Sequence, residues 1–118
     1  MTETAPMLRM TVETFPDAVG VSFSGRMDAD GVRHVSDALD RSVDASLPVV
    51  VDLTGVEGID SLGVALLVRL AKRLRDRGVA MAVIPGDGRV ARVLGLARVD
   101  RILNVVLTRE AARRSLGR

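Results

Sequence analysis

Residues 48–55, PVVVDLTG, form a short continuous apolar run closed by a turn signal. A strand of that composition is stable only with both faces covered, so it belongs inside a sheet with helices packed against it. VAMAVI (79–84) repeats the pattern. Between the two, Leu66, Leu67, Leu70, Ala71 and Leu74 fall on one helical stripe and Arg69, Lys72, Arg73 and Arg77 on another, with Gly78 as the C′ residue. This spacing predicts a long amphipathic helix from Ser61 to Arg77. Upstream, MLRMTVETF (7–15) and AVGVSFSG (18–25) alternate apolar and polar residues around Pro16-Asp17, the pattern of two antiparallel strands and a tight turn. In residues 28–45 the period changes: Val32, Val35, Leu39 and Val43 share a helical face, with Asp28 or Asp30 as N-cap.

Downstream, Val90, Val93 and Leu94 predict a shorter helix over 89–99, ILNVVL (102–107) an edge strand, and TREAARRSLG (108–117) a last helix capped by Thr108. The resulting order is that of an α/β protein with a mixed sheet of four to five strands flanked by about four helices. With 118 residues and no linker or repeat, the whole of 1–118 is expected to be one domain, with residues 1–6 disordered.

Several function classes find no support. The chain has no Cys and one His, so disulfides, thiol nucleophiles and clustered zinc or iron ligands are not expected, and neither a metal nor a cofactor is called for. Its apolar runs fall far short of the roughly 20 residues that cross a bilayer. MTETAPMLRM is not built like a secretory signal, so a cytoplasmic location without membrane insertion is expected. Charge is lopsided: residues 1–60 carry four arginines against eleven acids, a balance of −7, and residues 61–118 carry thirteen basic residues against four acids, a balance of +9. With no Tyr or Trp and both Phe residues in the acidic half, the basic half offers no base-stacking platform, so it reads as a solvated helix face and direct nucleic-acid binding is not expected.

GDGRVA (86–91) fits a dinucleotide-binding fingerprint, but only 27 residues follow Ala91, too few to complete the fold it requires. Gly86 and Gly88 are read as a turn. No Gly-Lys-Ser or Gly-Lys-Thr is present for a P-loop. A hydrolase triad on Ser61 would have to use His34, which lies in the acidic first helix with the polar positions and is read as a surface residue. Asp28, Asp30, Asp52 and Asp60 are explained as caps and turn residues without a Mg²⁺ ion.

GIDSLGVALLV (58–68) sets an acid and a hydroxyl ahead of the apolar helix start. Ser61 as a helix cap would contribute about 1 kcal/mol and suffices on spacing alone. Three stretches add to this: SGRMDADGV after the second strand, VVVDLTGVEGIDSLGVALLV through the central strand, and VARVLGLARVDRIL near the end. With them the chain resembles, over roughly residues 8–110, the STAS domains of bacterial anti-sigma factor antagonists.

The resemblance implies a STAS-like fold and a non-enzymatic role in partner switching. The serine after the Asp of the family's Asp-Ser-(Ser/Thr)-Gly motif is phosphorylated by the anti-sigma factor, a serine kinase, and reset by a serine phosphatase. That motif corresponds to Asp60, Ser61, Leu62 and Gly63, with Ser61 the acceptor and Leu62 in place of the second hydroxyl. The Gly-x-(Leu/Met)-Asp element corresponds to Gly25, Arg26, Met27 and Asp28, so Met27, Asp28, Asp60, Leu62 and Gly63 are expected at the partner surface. The chain itself is expected to be a monomer or weak dimer. Two other readings stay open: a cytoplasmic STAS subunit of a lipid-asymmetry ABC transporter that contacts its ATPase, and a small nucleotide-binding or phosphate-handling enzyme using Asp60 and Ser61.

Overall fold

The structure, a computed structural model, describes residues 6–43, 46–86 and 88–117. The alternating segments 7–15 and 18–25 become β1 (Arg9–Thr14) and β2 (Val19–Met27), paired antiparallel with Arg9 opposite Ser24 and Thr14 opposite Val19. The expected disorder of residues 1–6 falls outside the described residues except at Pro6, whose carbonyl accepts the Arg26 N–H at 3.0 Å. β3 (Val49–Ile59) runs parallel to β2 on one side and to β4 (Met81–Ile84) on the other, giving a mixed sheet of order β1-β2-β3-β4.

The apolar run that predicted a central strand is central. Val49, Val51 and Leu53 point into the main core, where α1 (Ala29–Ser42) contributes Val35 and Leu39 and α2 (Ser61–Asp76) contributes Leu66, Leu67, Leu70 and Leu74. α3 (Gly88–Leu96) adds Val90 and Leu94. Val50 faces the other way, beside a smaller cluster in which Ala112 of α5 (Arg109–Gly117) packs on Ala82 and Ile84. Helices therefore cover one sheet face except at its β1 edge, where Val12 stays exposed, but only the β3–β4 side of the other.

α2 ends where the sequence indicates: Gly78 has φ +72°, its N–H donates to the Arg75 carbonyl and the Val79 N–H to that of Leu74, a Schellman closure. Thr108 caps α5, its Oγ1 accepting the Ala111 N–H at 3.0 Å. Residues 102–107 differ from expectation. Asp100–Leu103 form a short helix, α4, that buries Leu103, and Asn104 then turns left-handed at φ 55°. Only Val105 bridges β4, at Val83, so the fifth strand is reduced to a single bridge and the helix count rises to five. A six-residue apolar run does not encode whether it pairs or coils, and here the inward pull on Leu103 with a left-handed Asn104 decides it.

Candidate functional site

β2 and β3 end side by side, Met27 opposite Ile59, and each leads directly into a helix. Both starts read Asp-x-x-Gly, Asp28 to Gly31 and Asp60 to Gly63. Each Asp is an extended N-cap, with φ −117° and ψ −172° at Asp28 and φ −111° and ψ −172° at Asp60. Each caps backbone donors that a helix start otherwise leaves unpaired. Asp28 Oδ1 accepts the Gly31 N–H at 3.0 Å, whereas Asp60 Oδ1 accepts both the Leu62 N–H at 2.9 Å and the Gly63 N–H at 3.1 Å.

The two glycines are there for close approach. A Cβ on Gly63 would lie 2.5 Å from the Met27 carbonyl oxygen and 2.7 Å from Ile59 Cγ1, and one on Gly31 would lie 2.5 Å from the Arg26 carbonyl oxygen. Without side chains at these positions, both helices start tight against the end of β2. The Asp60 N–H closes the corner by donating to the Met27 carbonyl at 3.2 Å.

Asp60 as cap corrects one sequence reading of Ser61. The cap lies one residue earlier than Ser61, which occupies the first helical position instead. Ser61 is exposed, and its hydroxyl makes no hydrogen bond to any described residue. Leu62 beside it is 49% exposed. Met27 and Gly63, expected at a partner surface, are buried; Met27 is 0% exposed, so its side chain packs the corner from within. Asp28 and Asp60 reach the surface, Asp28 partly and Asp60 openly.

Sequence reasoning passed over Arg26 and Met7. Arg26 Nη1 donates to Asp28 Oδ2 at 3.1 Å, which places a cation on the first cap, while its Nε is buried without a partner. The signal was available, since Arg26 lies within SGRMDADGV. Met7, 44% exposed, bridges Arg26 from the β1 side and carried no sequence signal.

The other acids lie apart. Asp52 is buried on the far face of the sheet, where Thr54 N–H donates to its Oδ1 and Arg109 to its Oδ2, both at 2.8 Å. Burial pushes its carboxyl pKa up, but the hydrogen bonds from Thr54 and the charge of Arg109 outweigh this and hold it below the usual value. Among the described residues no three His, Cys, Asp or Glu side chains gather as a metal site. A groove of about 820 Å³ on that face is lined by Phe15, Gly20, Val50, Asp52, Arg109 and Leu116 among others, and by no residue of the Ser61 corner. No helix of the described chain is long and apolar enough to cross a membrane.

The family model that matches this chain is that of the STAS domain, over residues 9–112. The chain belongs to the STAS domain family. A relative of this STAS domain is the anti-sigma-F factor antagonist RsfA of Mycobacterium tuberculosis, 30% identical over 108 residues, spanning 89% of this chain and 84% of the relative. Among solved structures, an anti-sigma factor antagonist from Mycobacterium paratuberculosis superposes with a TM-score of 0.82 at 23% identity, covering 97% of this chain and 98% of the other. The anti-sigma factor antagonist SpoIIAA in its unphosphorylated form gives 0.75 at 15% identity, covering 93% and 98%. Within the STAS domain, the stretch matched by the family model contains the whole Asp28–Asp60 corner.

Proposed function

We propose that this STAS domain is an anti-sigma factor antagonist whose binding is switched by phosphorylation of Ser61. With Ser61 free, it sequesters an anti-sigma factor serine kinase through Asp28, Asp60 and Leu62, with Met27 and Gly63 shaping the surface from beneath, and a sigma factor is released. The observation that carries the reading is the idle hydroxyl: Asp60 already caps α2, leaving the exposed Ser61 side chain without a structural task. The name of the 30% identical relative supports the antagonist role. The chain is then a substrate of the kinase and not itself an enzyme.

The chemistry is a transfer of the ATP γ-phosphoryl group to Ser61 Oγ, with loss of the hydroxyl proton and release of ADP; a serine phosphatase returns the hydroxyl by hydrolysis. A dianion at the first turn of a helix is tolerated by the fold, since the helix dipole favours negative charge there by about 0.3–1 kcal/mol. Binding is another matter. The phosphate adds roughly 1.5–2 negative charges beside Asp60, which has no cationic partner among the described residues. A partner covering Leu62 would have to strip that charge of water. Moving a complex from nearly all bound to nearly all free takes about 5.5 kcal/mol, within reach of one uncompensated dianion.

The test is incubation with the candidate kinase and ATP, followed by mass spectrometric location of added phosphate and a binding measurement on both forms. Phosphate on Ser61 with loss of kinase binding is the expected result; equal binding by the two forms overturns it. The exposed Leu62 also suits docking to a transporter ATPase, and a pull-down that returns an ATPase instead of a kinase selects that reading. The enzyme reading needs a cleft at Asp60 and Ser61, and the large groove lies elsewhere.

A further inference from the structure

β1 is an open edge. Apart from Met10, every residue of Arg9–Thr14 is exposed, the strand contains no Pro and no bulge to block pairing with another chain, and its two charges, Arg9 and Glu13, are of opposite sign. Val12 is opposite the buried Val21 and so points to the core side, yet it stays 37% exposed. On the outer face, Arg9 and Glu13 stand opposite Ser24 and Gly20, and neither side chain has an ion-pair or hydrogen-bond partner among the described residues.

From this edge we infer that the chain forms a homodimer by antiparallel β1–β1′ pairing, which joins two four-stranded sheets into one of twice that size. The register follows from the sequence. Outward-pointing N–H and C=O groups alternate along a strand, so residues facing each other across a two-fold axis must have the same parity. That leaves registers with Met10, Thr11 or Val12 on the axis. Only the Thr11 register sets Arg9 opposite Glu13′ and Glu13 opposite Arg9′, two ion pairs on the outer face. It also sets Met10 against Val12′ twice on the core side, covering the exposed valine. With Met10 on the axis Arg9 meets Thr11′, and with Val12 on the axis Glu13 meets Thr11′, so both ion pairs are lost. The edge is therefore complementary in charge and apolar surface to a second copy of itself. A contact along one strand is small for a stable interface, so the dimer is concentration-dependent. The inference stands apart from the Ser61 reading, since no residue of that site takes part.

Sedimentation equilibrium on the full chain tests it. The wild type is expected to rise from a mass of 12.6 kDa toward twice that value with concentration. Arg9→Glu sets like charges opposite each other twice and should weaken self-association about tenfold. The double swap Arg9→Glu with Glu13→Arg should restore it, because only the order within each pair changes. As the natural chain has no Cys, Thr11→Cys offers a single thiol on the axis, and a short bismaleimide should link it to its copy far faster than it links an exposed Asp76→Cys control. A monomer at every concentration up to about 1 mM, where even a contact worth only about 4 kcal/mol would be half formed, overturns the inference. So does a dimer indifferent to Arg9→Glu, a double swap that fails to restore association, or equal linking of the two cysteines.

Discussion

The starts of α1 and α2 are built on one plan and differ in what they leave available. Both place an extended Asp cap at the end of a parallel strand and a glycine three residues later against the end of β2. At α1 the cap's second oxygen is bound by Arg26, and the next residue is Ala29. At α2 one oxygen holds two backbone donors, no cation among the described residues attends it, and the next residue is the exposed Ser61. The first start carries a carboxylate paired with Arg26; the second carries an exposed carboxylate beside an exposed hydroxyl. Two geometries this similar both meet the demands of folding, and the switch proposed for Ser61 would draw on what only α2 leaves available.

Introducing a carboxylate at each start should produce the largest contrast. Ser61→Glu is expected to weaken binding to the cognate anti-sigma factor by roughly a hundredfold or more, since the added charge lies beside Asp60 and Leu62. Ala29→Glu, at the equivalent position but near Arg26, should cost less than about tenfold. Titration calorimetry on the two variants measures both. Equal losses would mean that any negative charge on this face blocks docking and that α2 holds no special place.

The glycines come next. Gly63→Ala should destabilise the fold by about 1–3 kcal/mol, because the new methyl meets a backbone carbonyl and two packed side chains with little room to yield. Gly31→Ala should cost a similar amount, since its methyl would meet the Arg26 carbonyl oxygen at 2.5 Å and the Cβ of the fully buried Leu8 at 2.7 Å. Urea unfolding midpoints compare the pair, and a much smaller loss at Gly31 would show that Leu8 yields despite its burial.

Much of this was legible in the sequence, and the illegible parts share a cause. The runs at 48–55 and 79–84, the stripe from Leu66 to Leu74 and the Thr108 cap are local patterns of period and chemistry, and each stands where it was expected. The contact between Asp52 and Arg109 joins residues 57 apart in sequence, and nothing local announces it. Ser61 and Asp60 are both good caps one residue apart, so composition alone did not decide between them. Met27 reads as a surface residue from its motif and as core from its strand parity, and parity prevails because β2 alternates buried positions through Met27.

The smallest contrast is between the caps themselves. Asp60→Ala removes a partner from two N–H groups and should cost about 1–2 kcal/mol, while Asp28→Ala frees one and should cost about 1 kcal/mol. The part-exposed ion pair with Arg26 adds little to the second figure, since such pairs contribute about 0–1 kcal/mol. Asp60→Asn separates cap from charge. Its amide oxygen still accepts both donors, so stability should stay within a few tenths of a kcal/mol of wild type. If the carboxylate serves only as a cap, kinase binding by Asp60→Asn should also match the wild type. If its charge is read by the partner, binding should fall while the unfolding midpoint holds, and the second outcome is expected because Asp60, unlike Asp28, presents a charge that no described side chain neutralises.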